Sequence, residues 1–177
     1  RFYVDTPLAS SPKRIDLPET EARHLKDVMR KQVGDVVECF DGSGLVATGT
    51  VAEIGKKSAA VTVEEGGVRE HAGGPAIRIT LACALPRSGA ADDVLRRAVE
   101  VGASRIIPLV TTRGVHKPDK KSPAQRQERF RRIAVAAMKQ CGINRMPELT
   151  EPIKIDALAI EDGGAGVIGS LEPEAFT

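Results

Sequence analysis

The sequence predicts an α+β protein in two domains, a β-barrel-like domain over residues 1–73 and an α/β domain over residues 74–177. Three observations lead there. The runs "DVVECF" and "LVATGTVAEI" flank Asp41-Gly42-Ser43-Gly44, which is the turn chemistry of a β-hairpin. Beyond Pro75, a strand, a helix and a second strand follow one another within about thirty-five residues, the order of a βαβ unit. Between the two patterns, "EEGGVREHAGGP" gathers four glycines and a proline and interrupts both. The domain boundary is accordingly placed as a hinge at Gly73-Gly74.

Taken in order, residues Thr20 to Arg30 set Ala22, Leu25, Val28 and Met29 on one face of a helix. After the hairpin, Gly55-Lys56-Lys57 turns the chain into "AAVTVEE", where Val61 and Val63 alternate with Thr62 and Glu64 as in a half-buried antiparallel strand. Short strands with one helix suggest a small, partly closed barrel. In the second domain "AIRITLACAL" is nearly continuously apolar, as expected of a strand covered by helices on both faces. "PRSGAADDVLRRAVEVG" is a helix with Val94, Leu95, Ala98 and Val101 inward, and "RIIPLV" is the strand that follows, parallel to the first. Ser122-Pro123-Ala124-Gln125 is a capping box with proline at the first helical position. The helix it opens carries Phe130, Ile133, Ala134, Ala137, Met138 and Cys141 as its apolar stripe and stops at Gly142. "GVIGSL" reads as a last short buried strand.

Composition narrows the function. At 177 residues, with 41% apolar and 28% charged side chains, the chain is ordinary globular protein. No run approaches the ~20 apolar residues of a membrane span. Cys39, Cys83 and Cys141, like His24, His71 and His116, lack metal-ligand spacing, so reduced thiols, no metal and a cytoplasmic location are expected. Aromatic residues are too few for rows of base-stacking rings. There is no P-loop and no nucleophile elbow, and Gly163-Gly164-Ala165-Gly166 precedes a strand, so it reads as a linker. Charge is unevenly spread. Residues 113–145 hold ten Lys/Arg against two acids, whereas residues 146–177 hold one base against seven acids. The basic block is a phosphate-backbone footprint or a solvated helix face. In "KQCGINRMPEL", Gln140, Asn144 and Arg145 converge where the helix ends, suited to an anion or a base edge, or to capping the loop.

Four segments carry a resemblance. "HLKDVMRKQVGDVVECFDGSG" resembles the N-terminal PUA-like domain of the 16S ribosomal RNA uridine N3-methyltransferase family, of the SPOUT (α/β-knot) class. "LACALPRSGAADDVLRRAVEVGASRIIPLVTTRGVHK" is similar to that family's first knot-domain unit, "RFRRIAVAAMKQCGINRMPEL" to its Gln-Cys/Ser-Gly-Arg-x-Arg-x-Pro-Glu segment, and "SLEPEA" to its Leu-His-Pro-Glu-Ala. The four occur in collinear order. Departures are Ile143 for the first Arg of the Gly-Arg-x-Arg segment, Glu172 for His and Val101 for Leu. The family's later glycine-rich loop and C-terminal segment have no counterpart, so the knot-type domain is expected to be incomplete at its C-terminus.

The resemblance implies methyl transfer from S-adenosylmethionine to N3 of a uridine in the small ribosomal subunit, by a homodimer; an RNA- or ribosome-binding module without catalysis is the alternative. Positioning would supply most of the catalysis, and the N3 proton must leave. Leu171, Glu172 and Pro173, after a strand end, are expected to form one wall of the cofactor site. Arg145 matches the second Arg of the family segment and Arg87 lies in the turn before the helix; both are candidate RNA contacts. Arg30, Lys31, Arg129 and Arg132 suit phosphate contacts that position RNA without reading its sequence.

Overall fold

The computed structural model describes residues 1–86, 89–111, 122–159 and 165–167. Its N-terminal part is a five-stranded sheet in the order β1-β3-β4-β5-β2. The strands are β1 (Phe2–Tyr3), β2 (Arg14–Leu17), β3 (Val36–Phe40), β4 (Leu45–Ile54) and β5 (Ala59–Glu70). β1 runs parallel to β3 and the other pairs are antiparallel. Alternation turns Ile15, Leu17, Val37, Cys39, Val51 and Val61 into one core with Phe2, Leu8 and Leu25. Among the described residues no pairing joins the edge strands β1 and β2, so the expected barrel is an open, curled sheet.

Two sequence expectations change here. The glycines of "EEGGVRE" do not end β5. The ladder passes from Gly49 opposite Val63 to Ala47 opposite Val68, so the residues between bulge out. Gly66 takes φ +75°, and a Cβ on Gly67 would sit 2.9 Å from a Val63 methyl and 3.0 Å from the Thr48 carbonyl oxygen, so a side chain there would push its neighbours aside. The predicted helix is α1 (Glu19–Arg23) followed by a π-type turn over His24–Val28. The Met29 N–H donates to the His24 carbonyl at 2.9 Å, and the wider turn carries later side chains off the α1 face. Leu25 stays buried, but Val28 and Met29 are 66% and 46% exposed. Arg30 closes the turn at φ +51°.

The C-terminal part comprises β6 (Ile79–Cys83), α2 (Gly89–Glu100), β7 (Ala103–Val110), α3 (Pro123–Cys141), β8 (Glu148–Leu149) and β9 (Ile153–Lys154). β6, β8 and β9 all pair parallel with β7, and β6-α2-β7 is the expected βαβ unit. The capping box of α3 is formed in both directions, and Gly142 ends the helix at φ +86°. Val101 is 66% exposed instead of inward, because α2 stops at Glu100 and the chain turns through Gly102 at φ +84°. Val99 takes the inward place. Cys141, on the last turn of α3, is exposed. β6 is an edge strand among the described residues, so Leu81, Ala82 and Cys83 are only half-buried, not covered on both faces. Most of "GVIGSL" lies outside the described residues.

The two parts share a core. Phe40 and Val46, from the hairpin of the first sheet, are buried together with Leu95, Ile106, Phe130 and Met138 of the second. Gly73 is less a hinge than a point of close approach: at φ +71°, any Cβ on it would overlap the Gly142 carbonyl oxygen.

Candidate nucleic-acid interface

The site is built on α3. Its apolar stripe, Phe130, Ala134, Ala137 and Met138, faces the core, which turns its cations toward neighbouring elements and solvent. Most of them are paired. Arg126 meets Glu151 at 2.6 Å, Arg129 meets Asp92 at 2.7 Å, and Arg131 meets Asp5. Lys139 donates to both Glu21 oxygens at 2.9 and 2.8 Å. Arg145, beyond the helix, stands 3.8 Å from Glu70. Arg132 is exposed and, among the described residues, has no carboxylate partner. The remaining cations of the basic block, Arg113, Lys117, Lys120 and Lys121, lie outside the described residues.

Two of these pairs wall a cleft of about 650 Å³ between the N-terminal sheet and α3. On one side the Arg131 guanidinium stacks 5.0 Å from the centre of the Tyr3 ring. On the other, His24 stands beside the Lys139–Glu21 pair, its ring edge-on to Phe2 with centroids 5.9 Å apart. Burial holds the His24 imidazole below the ordinary histidine range, and the Lys139 charge adds to this against the opposing pull of Glu21. From α3, Val135 and Ala136 add an apolar patch to its lining, and Arg132 and Gln140 stand beside them. A smaller hollow of about 440 Å³, lined by Gln125, Glu128 and Arg129, adjoins it, and Arg132 belongs to both.

The other residues singled out in the sequence are dispersed. Asn144 is fully buried: its amide donates to the His71 carbonyl at 2.6 Å and accepts from Arg1. Its backbone joins the two parts, donating to the Ala72 carbonyl at 2.7 Å and accepting from Gly44 at 3.0 Å. The side chain that looked suited to a ligand is thus spent on the junction. Arg145, beside it, is exposed and bridges to Ser43. A Cβ on Gly44 would lie 2.7 Å from the Arg145 guanidinium, so that glycine makes room for it. Arg30 and Lys31 sit at the π-type turn, remote in sequence from α3, and Lys31 is 3.8 Å from Asp35. Arg87, Leu171, Glu172 and Pro173 lie outside the described residues. Sequence reasoning missed Tyr3, Asp5, Glu21 and His24. Their partners on α3 are more than a hundred positions away, and no local spacing signals that.

Comparison with known proteins bears on what such a cleft serves. Residues 74–174 match the family described as RNA methyltransferase domain, and residues 17–64 the RNA methyltransferase PUA domain. Ribosomal RNA small subunit methyltransferase E of Bacillus subtilis is 28% identical over 131 residues, 74% of this chain and 50% of that protein. The protein of the same name from Synechocystis is 28% identical over 139 residues, 78% of this chain and 43% of that protein. The chain thus spans about half the length of these curated relatives. Among solved structures, the Neisseria gonorrhoeae enzyme of that name, bound to S-adenosyl methionine, superposes with TM-score 0.73 at 27% identity, over 87% of this chain and 61% of its own. A Legionella pneumophila protein described as a methyltransferase, with bound SAM, gives TM-score 0.74 at 26% identity, over 88% and 63%. With more than half its length matched by the first of these families, the chain belongs to the RNA methyltransferases.

Proposed function

We propose that the chain is part of an S-adenosylmethionine-dependent enzyme that methylates N3 of a uridine in 16S rRNA of the small ribosomal subunit, acting as a cytoplasmic homodimer. The observation that carries this reading is the collinear likeness, through both parts of the chain, to proteins named for methylation of small-subunit rRNA. The donor, when bound, would supply an activated methyl group on its sulfonium.

The described residues do not by themselves form a seat for the donor. The C-terminal ends of β6 and β7, at Cys83 and Val110, are where a parallel sheet presents ligands. None of their residues lines either cleft described above, and the wall assigned to Leu171, Glu172 and Pro173 lies outside the described residues. No step at the sulfonium is therefore assigned to this part of the chain. What it offers is RNA positioning, with Arg145 and Arg87 as proposed contacts to an RNA phosphate or a uracil oxygen.

The test is methyl transfer by the full-length gene product from labelled S-adenosylmethionine to small subunits taken from cells lacking the activity, followed by nucleoside mass spectrometry. N3-methyluridine in 16S rRNA is expected. Label at another atom or in another RNA, or saturable RNA binding without donor binding, overturns the proposal, the last in favour of a non-catalytic module.

A further inference from the structure

A strongly basic helix ordinarily reads as a track for many phosphates, yet α3 is not electrostatically free. Around the cleft, Arg131 is held by Asp5 and Lys139 by Glu21, so each wall brings a carboxylate with its cation. Arg132 is the exposed cation of the lining with no carboxylate partner among the described residues. A second phosphate in this space would approach Asp5 or Glu21, which repel it. One phosphate is accommodated; a run of them is not.

The rest of the cleft fits what a phosphate is attached to. Its volume of about 650 Å³ is in the range of small-ligand sites. Val135 and Ala136 give an apolar patch for a flat face, and Gln140, one turn on, offers an amide with both a donor and an acceptor. A base within a duplex presents only its edge, so this patch suits an unpaired base.

We infer that the cleft between the N-terminal sheet and α3 seats one unpaired nucleotide of the bound RNA, its phosphate on Arg132, its base on Val135 and Ala136, and its polar edge at Gln140. The inference rests on the reading of the chain as an RNA methyltransferase and adds a second RNA-binding place, separate from the strand ends where the methylated base is expected.

The experiment measures binding of the full-length protein to a 16S rRNA transcript over a series of salt concentrations. Arg132→Gln lowers the salt slope by about 0.7, one single-strand phosphate contact, and Arg132→Lys restores it. Arg14→Gln, on β2 and paired with Asp16 and Glu53 away from either cleft, leaves the slope unchanged. Ala136→Leu fills this space without altering charge or offering a ring to stack on, and raises Kd roughly tenfold at an unchanged slope. Ala136 and Arg132 are exposed, so melting temperatures verify that these variants fold. A slope unmoved by Arg132→Gln, an equal loss from Arg14→Gln, or a Kd unmoved by Ala136→Leu overturns this inference alone. Failure of the wild-type protein to bind the transcript overturns it together with the reading on which it rests.

Discussion

Removing the Lys139 ammonium is the sharpest test of how the two parts of the chain are held together. Its nitrogen lies 2.8 Å from one Glu21 oxygen, with side-chain exposures of 19% and 11%. At that separation and an effective dielectric of about 20, the attraction is about 6 kcal/mol. Much of this offsets the cost of taking both charges out of water. Lys139→Met abolishes the attraction yet leaves the Glu21 carboxylate desolvated, and orphaning one member of a buried pair costs about 3–5 kcal/mol. Residual exposure of Lys139 places the loss near the lower figure, about 3 kcal/mol. For a chain of this size that is a fall in Tm of about 6–12 °C. Lys139→Met combined with Glu21→Gln leaves no orphaned charge and should recover most of the loss, to within about 1 kcal/mol of wild type. Urea and thermal unfolding of the wild type, both single variants and the double variant at pH 7 close the cycle. A coupling energy below about 0.5 kcal/mol, or a Tm for Lys139→Met within about 2 °C of wild type, refutes the reasoning.

Three further outcomes are expected. Gly73→Ala places a methyl group against the Gly142 carbonyl oxygen at a positive φ and should lower stability by about 2 kcal/mol or more, read by urea denaturation; unchanged stability would show that the two backbones separate freely. Asn144→Ala leaves the His71 carbonyl and the Arg1 guanidinium without their amide partner, for a loss of about 1–2 kcal/mol in the same assay. Because folding lowers the His24 pKa, the unfolded chain holds more protons in that window, and stability rises with pH there. The His24 contribution is complete above the ordinary value of about 6.5 and is lost as pH falls through the lower folded value; His24→Asn should flatten that part of the stability profile, and an identical profile for the variant would contradict the assignment.

How much of this was legible in the sequence follows from how local each signal is. The α3 boundaries were readable because a capping box and a terminating glycine act within a few residues of themselves. The hairpin at Asp41–Gly44 was readable for the same reason. The end of β5 was misread: Gly66 and Gly67 are equally compatible with a break and with a bulge, and only the partner strand, at Thr48, decides. The π-type turn could not be inferred from apolar spacing, which assigned Val28 and Met29 to a face they leave. Asn144 was conspicuous as a polar residue after a helix, but its burial depends on the Ser43–Gly44 turn, a hundred residues earlier, folding onto it. Of the candidate RNA contacts, Arg132 and Gln140 meet in one cleft.

The basic block illustrates why a count of charges is a weak guide to a nucleic-acid surface. Ten cations against two acids within residues 113–145 suggest a broad phosphate footprint. In three dimensions the acids that answer them come from other elements: Asp5 and Glu21 from the N-terminal part, Asp92 from α2 and Glu151 near β9. Each such pair fixes α3 against a neighbour, so the cations serve first to hold the junction and define the cleft. An arginine already bidding for a carboxylate releases few counterions when a phosphate arrives, and its contribution to the salt slope is correspondingly small. On the proposed reading, RNA recognition by this part of the chain relies on the shape of the junction and on a few uncommitted groups, Arg132 foremost, which is the arrangement expected where RNA must be placed in one register and not merely attracted.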